Sequence, residues 1–347
     1  MNHWLRIAIT VTLCALLLIY VVDLRAVFRT LARCDPLWAL AAFGVFTLDR
    51  VLMSYKWGLL LEIRGYNVSL PQRLMVYCSA MMWGLALPST VGADGIRLVL
   101  VRRFGVRVDD ALATILVERG IGFVCALLTA IAGLIVLRVA LPDVSMYEYA
   151  LHGAIATLLI ATVLLVLSFS SGIVESLSNM LPKRLAHSAA LRLLDRLHEA
   201  YRSLAVDRRR LGKFSVLTIS EQLLLAVCYA FVAMALQLEF DPYFLFAAVP
   251  LAILLSRLPI SIDGLGVYEG IFIAIMTLGG VRPDDSLAIS LAARALQIVV
   301  WAPWWLMLVA RTGVVRPKET LAGDDVPAPD LSKEAAEPRS ASTPLHD

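Results

Sequence analysis

Six apolar runs, at residues 4–22, 37–60, 111–136, 151–168, 214–236 and 287–310, constrain this chain more than any other feature. Each is about 18 to 25 residues long, the length that carries an α-helix across a hydrocarbon core roughly 30 Å thick. One such run fits inside a soluble domain; six do not. Composition agrees, with 59% hydrophobic and 17% charged residues and a mean hydropathy of +0.77, against roughly 45–50% and 25% in soluble domains. In lipid a helix satisfies its own backbone, so the expected fold is an all-α polytopic membrane protein. The first run is followed by Asp23-Leu24-Arg25 and not by a small-residue cleavage site, so it reads as a retained helix and not a signal peptide.

Three further apolar stretches are short. Residues 74–87 end at Pro88, and residues 243–255 and 266–278 flank a second Pro/Gly-bearing break. At 1.5 Å per residue each spans about 20 Å, too little for an untilted crossing. Basic residues set direction. Arg97, Arg102, Arg103 and Arg107 lie in one connection, and residues 172–213 hold nine Lys/Arg against four acids. Acidic residues such as Asp143, Glu148, Glu239, Asp241, Asp284 and Asp285 mark the opposite connections. The positive-inside rule then puts both termini of a multi-pass protein in the cytoplasm. Parity makes residues 74–96 a re-entrant element. Residues 243–278 are either re-entrant or two short spans, so the expectation is six to eight spans with one or two broken-helix elements.

The transmembrane domain is expected to cover residues 1–318. It includes a cytoplasmic amphipathic segment at 172–213, where Ala190, Leu193, Leu194, Leu197, Tyr201 and Leu204 share a helical face. Residues 319–347, rich in Ala, Pro, Ser, Asp and Glu, read as a disordered cytoplasmic tail. The net charge of +3 points to no nucleic acid. Five cysteines and five histidines fall in no metal-ligand spacing, so no metal or cofactor is expected.

The two broken regions echo each other. One reads Leu87-Pro88-Ser89-Thr90-Val91-Gly92-Ala93-Asp94-Gly95-Ile96-Arg97, the other Leu258-Pro259-Ile260-Ser261-Ile262-Asp263-Gly264-Leu265-Gly266-Val267-Tyr268-Glu269. Proline removes a donor and glycine permits unusual dihedrals, so neither is expected to remain continuous helix. An inverted repeat and a coincidence of common membrane residues both account for the echo. Broken backbone in lipid must be buried or line a polar cavity, as in the discontinuous helices of transporters.

Charges inside the runs need partners or a route to the interface. Asp49 and Arg50 sit mid-run, and adjacent positions point about 100° apart, so at least one should meet a partner elsewhere in the bundle. Lys56 lies within snorkelling reach of the interface, its default reading. Glu118 with Arg119 reads either as a structural ion pair or as part of a polar site, and Arg294 lies about two turns into the last run. Arginine suits phosphate because its planar fork donates in pairs.

In their order, these residues resemble the flippase-like transmembrane family, which includes the membrane part of bacterial lysylphosphatidylglycerol synthases. Lys56-Trp57-Gly58-Leu59-Leu60 is similar to a basic-Trp pattern ending an early span. Residues Pro88 to Arg97 match a Pro-Ser/Gly-x-x-Gly-Gly-Asp-x-x-Arg pattern with Ala93 in place of a glycine, and Glu118-Arg119 follow. Pro259 to Glu269 keep a Gly-Leu-Gly-x-x-Glu core, with Ile262 and Asp263 in place of a proline and a glycine. The resemblance runs from about Leu5 to Val315.

That resemblance implies translocation of a phospholipid or other lipid-linked anion between leaflets; the short polar stretch at 319–347 has no room for the soluble synthase domain of the bifunctional relatives, so covalent chemistry is not expected. Arg97, Arg119 and Arg294 are then the headgroup-binding candidates. Asp94, Glu118, Asp263 and Glu269 are expected to gate or couple transport, and Pro88, Gly92, Gly95, Pro259, Gly264 and Gly266 to shape the backbone. A non-transporting partner of an envelope-lipid enzyme is the alternative. The expected partners are an anionic lipid and, in the second reading, a membrane enzyme. With no P-loop pattern in the chain, uphill flipping would draw on an ion or proton gradient.

Overall fold

The computed structural model describes residues 22–85, 90–141, 146–168, 206–256 and 264–312, with a few isolated positions besides. The first apolar run, most of the 172–213 segment, residues 319–347, Pro88, Pro259 and Asp263 lie outside the described residues. In chain order the helices are α1 (Leu24–Ala32), α2 (Pro36–Ile63), α3 (Leu70–Gly84), α4 (Thr90–Val101), α5 (Val108–Ala140), α6 (Met146–Ser168), α7 (Arg208–Ala235), α8 (Pro242–Ser256), α9 (Val267–Leu278) and α10 (Pro283–Thr312), with a 3-10 turn at Arg102–Phe104 between α4 and α5. All regular structure among the described residues is helical.

Five of these helices, α2, α5, α6, α7 and α10, are long and apolar enough to cross a membrane, while α8 and α9 are shorter apolar pieces. They match five of the six runs read from sequence. Local chemistry fixes their starts. Asp35 accepts from Leu37 N at 2.8 Å with Pro36 at the first helical position. Asp207 accepts from Arg210 N at 2.9 Å, and Ser69 N donates to Gln72 Oε1 at 3.0 Å.

The longest packed seam joins α2 to α7, and α5 packs on α8 and α6. The α5–α8 crossing is close: a Cβ added at Gly133 would lie 3.0 Å from Ala247 Cα. Phe46, Tyr229, Phe272, Met276 and Ile289 centre the main core, contributed by α2, α7, α9 and α10. By contrast α6 leaves Leu159, Ile160, Val163, Leu164 and Val166 exposed. Such a face is stable against acyl chains and not against water.

Contacts sort the helix ends into two sets. Arg64 of the α2–α3 connection pairs with Asp110 of α5, Nη2 to Oδ1 at 2.5 Å, and Tyr66 Oη donates to Asp110 Oδ2 at 2.5 Å. At the opposite end, Asp35 N donates to Ala235 O at 2.7 Å and Asp23 N donates to Asp284 Oδ1 at 2.7 Å. Thr30 Oγ1 donates to Asp285 Oδ1 at 2.8 Å, which fastens α1 across the start of α10.

The two breaks differ from expectation in one respect. Helix α4 runs on through Gly92 and Gly95, and neither has a positive φ. Around the second break the glycines do shape the backbone: Gly264 has φ +73° and Gly266 φ +78°. A Cβ on Gly264 would come within 2.7 Å of Ser256 Cβ, so the end of α8 closes tightly on the approach to α9.

Candidate functional site

Asp94 and Arg97 are three residues apart on α4 and therefore share its face, which packs on α5. Arg97 is 1% exposed. Its Nη2 lies 2.7 Å from Glu118 Oε2, and its Nη1 lies 3.5 Å from Asp94 Oδ1. The guanidinium carbon stands 4.4 Å from the Trp57 ring centroid and 4.3 Å from that of Tyr77. Two aromatic faces thus hold one cation, a contact worth about 2 kcal/mol when desolvated. Tyr77 Oη donates to the second oxygen of Glu118 at 3.0 Å. Trp57 Nε1 donates to Thr114 Oγ1 at 3.2 Å, which fixes the indole.

Arg119 turns away from Glu118. Its Nη2 and Nε reach Asp94 Oδ2 at 2.8 and 3.0 Å, and its side chain is 47% exposed. The sequence neighbours Glu118 and Arg119 are therefore not paired with each other. They cross, Glu118 to Arg97 and Arg119 to Asp94, because successive residues on α5 project about 100° apart. Of the two predicted headgroup arginines here, Arg97 is enclosed and Arg119 is accessible.

A second constellation sits at α9 and α10. Glu269 Oε2 accepts from Gly266 N at 2.7 Å, closing the first turn of α9. Its Oε1 lies 3.3 Å from Arg294 Nη2, with Glu269 9% and Arg294 32% exposed at the side chain. Tyr268 and Phe272 stack beside it with ring centroids 6.0 Å apart. Arg119 follows Asp94 by 25 residues, and Arg294 follows Glu269 by 25.

The charges of α2 depart from expectation. Asp49 and Arg50 pair with each other, the arginine folding back over the backbone, and both are buried. Arg50 also approaches the Trp301 ring at 6.0 Å. Lys56 does not snorkel. It is 3% exposed, pairs with Glu221 of α7 and lies 3.5 Å from Thr218 Oγ1. Glu221 was missed in sequence. Its signal was available, a lone carboxylate inside the 214–236 run. At the next residue of α7, Gln222 Oε1 accepts from Thr129 Oγ1 at 2.9 Å.

Gly58, the third residue of the Lys56-Trp57-Gly58-Leu59-Leu60 pattern, has a packing reason of its own. A Cβ there would overlap the guanidinium of Arg73, which lies across the bare backbone and pairs weakly with Glu62 at 3.9 Å. Lys56, Trp57 and Gly58 thus each receive a different charged group: Glu221, Arg97 and Arg73. Among the described residues no cluster of His, Cys, Asp or Glu could hold a metal ion.

The arrangement is a set of buried, pre-matched ion pairs in a lipid-facing bundle, with arginines at two places partly open to a ligand. No individual curated protein matches the sequence. A family model does: the lysylphosphatidylglycerol synthase transmembrane region matches residues 3–303. The chain, a multi-pass membrane protein, belongs to the family of the lysylphosphatidylglycerol synthase transmembrane region.

Proposed function

We propose that the protein moves an anionic lipid headgroup between leaflets. The observation that carries this reading is the Asp94–Arg119 pair, a half-exposed arginine held 2.8 Å from a carboxylate beside the first helix break. A phosphate arriving there finds a planar two-donor fork already oriented. The Glu269–Arg294 pair offers a similar fork beside the second break.

On this reading α3–α4 and α8–α9 are hairpins that enter the bilayer from opposite faces, each presenting one acid–arginine pair near mid-depth. The pairs lie about 11 residues into α5 and α10, roughly 16 Å from the turns before them. Opposed broken helices meeting near the midplane are how alternating-access carriers place their sites. The basic connections around Arg102, Arg103 and Arg208–Arg210 favour the cytoplasmic face of a bacterial inner membrane for that end. The chemistry is transport and not bond making.

A second reading has one observation in its favour. Arg97 and Glu118 are closed off by Trp57 and Tyr77, as in a rigid domain that only supports an enzyme partner.

Reconstitution decides between them. The purified protein is placed in vesicles with labelled anionic phospholipids or polyprenyl phosphates, and leaflet exchange is followed for wild type, Arg119→Gln and Glu269→Gln. Stimulated exchange that both variants lower at least tenfold supports transport. No stimulation by folded protein with any of these lipids rejects it.

A further inference from the structure

A cavity of about 440 Å³ opens where α2 ends and α7 begins, lined by Tyr55, Leu59, Glu62, Asp207, Arg209, Arg210 and Lys213. It is distinct from both arginine sites above. Of its acids, Asp207 caps α7 and faces Arg210 Nε at 3.5 Å, while Glu62 has a long 3.9 Å contact with Arg73. Lys213 has only a neutral partner there. Its Nζ lies 2.6 Å from Tyr55 Oη and 5.1 Å from the ring centroid. Arg209 makes no ion pair among the described residues. Among the described residues, Arg209 and Lys213 therefore have no carboxylate partner around an open polar pocket, with buried Leu59 on one wall.

Beyond the pocket, the face of α7 that carries Arg209 and Lys213 exposes Val216 and Leu223, with Ser220 between them bonded back to Val216 O. Residues 209, 213, 216, 220 and 223 recur at the four- and three-residue spacing of one helix face. Val216 is 63% and Leu223 46% exposed. From Lys213 to Leu223 the stripe runs about 15 Å along α7. That is close to the length of the upper part of an acyl chain. A free anion has no use for such a stripe, but a phospholipid does.

We propose that this pocket is a binding site for one anionic phospholipid. Arg209 and Lys213 hold its phosphate, Tyr55 steers the ammonium, and an acyl chain lies along Val216 and Leu223. Occupancy here does not depend on whether the protein translocates lipid, because the pocket lies outside the broken-helix pairs.

The test uses the full chain in nanodiscs carrying trace spin-labelled phosphatidylglycerol or phosphatidylcholine, with the motionally restricted fraction read by electron paramagnetic resonance. Wild type should prefer phosphatidylglycerol at least fivefold. Arg209→Gln with Lys213→Gln should bring that ratio near one, whereas Arg209→Lys with Lys213→Arg should keep it. Arg138→Gln, at an exposed pair with Glu148 on the other end, should leave it unchanged. Soluble glycerol phosphate in large excess should not displace the lipid. An unchanged preference in the folded Gln pair, or equal loss in Arg138→Gln, overturns the site. Ready displacement by glycerol phosphate overturns the lipid as its occupant. These outcomes are separate from the exchange assay, so either reading can fail alone.

Discussion

Arg119 and Asp94 meet at 2.8 Å across α5 and α4, although the carboxylate nearest to Arg119 in sequence is Glu118. Asp94 also receives Arg97, so one carboxylate stands between an enclosed arginine and an open one. Asp94→Asn leaves the Arg97–Glu118 contact in place and releases Arg119. In the vesicle assay the variant should lose at least tenfold in exchange rate while its unfolding temperature changes little.

Glu118 holds a cation that has no access to water. Glu118→Ala leaves Arg97, between Trp57 and Tyr77, with only its longer 3.5 Å contact to Asp94, and removing one partner of a buried pair costs about 3–5 kcal/mol. Arg119→Gln, at a half-exposed pair, should cost no more than about 1 kcal/mol. Thermal or denaturant unfolding in detergent should separate the two variants clearly; equal stabilities would contradict the enclosure of Arg97.

Lys56 and Glu221 form the seam between α2 and α7. Either Lys56→Met or Glu221→Met alone leaves a buried unpaired charge, so each should lower stability markedly. The double replacement should recover most of the loss, since apolar substitutes for both members of a buried pair are often neutral. A double-mutant cycle on unfolding midpoints measures this coupling.

Gly58 is required by Arg73. Gly58→Ala forces the guanidinium off the helix surface, and because the far end of a flexible side chain can swing aside the cost should be no more than about 1 kcal/mol. Arg73→Ala in the same chain should relieve the clash and return part of that stability.

Cys34 is exposed, while Cys78, Cys125 and Cys228 are buried. Burial and then the Asp35 carboxylate push the Cys34 thiol above the ordinary range, which leaves less thiolate at neutral pH. A bulky impermeant maleimide should therefore label Cys34 in preference to the three buried thiols, slowly at pH 7 and faster as pH rises. Labelling of intact cells would put this end of the bundle outside, whereas labelling only of inverted vesicles would reverse the orientation.

Length and hydropathy were enough to place five long helices within a few residues, because a span must cover a fixed thickness whatever it packs against. The short helices α8 and α9 were legible for the complementary reason, since glycines at 264 and 266 interrupt the hydrophobic run between them. Pairing was harder to read. Which charge meets which depends on how helices rotate about their axes, and adjacent residues give no guide to that. Glu118 and Arg119 diverge, while Asp49 and Arg50 converge because a long arginine can fold back. Lys56 was within reach of the interface, yet Glu221 on another helix captures it. The continuation of α4 through Gly92 and Gly95 was also unreadable, because glycine permits a break without requiring one.

The double engagement of Asp94 makes any anion that reaches Arg119 a competitor and not an addition. Its phosphate must exchange places with a carboxylate already 2.8 Å from the guanidinium. On the proposed reading the affinity would reflect a difference between two similar contacts, so headgroup residence would be brief, with Asp94 at hand to reclaim the arginine.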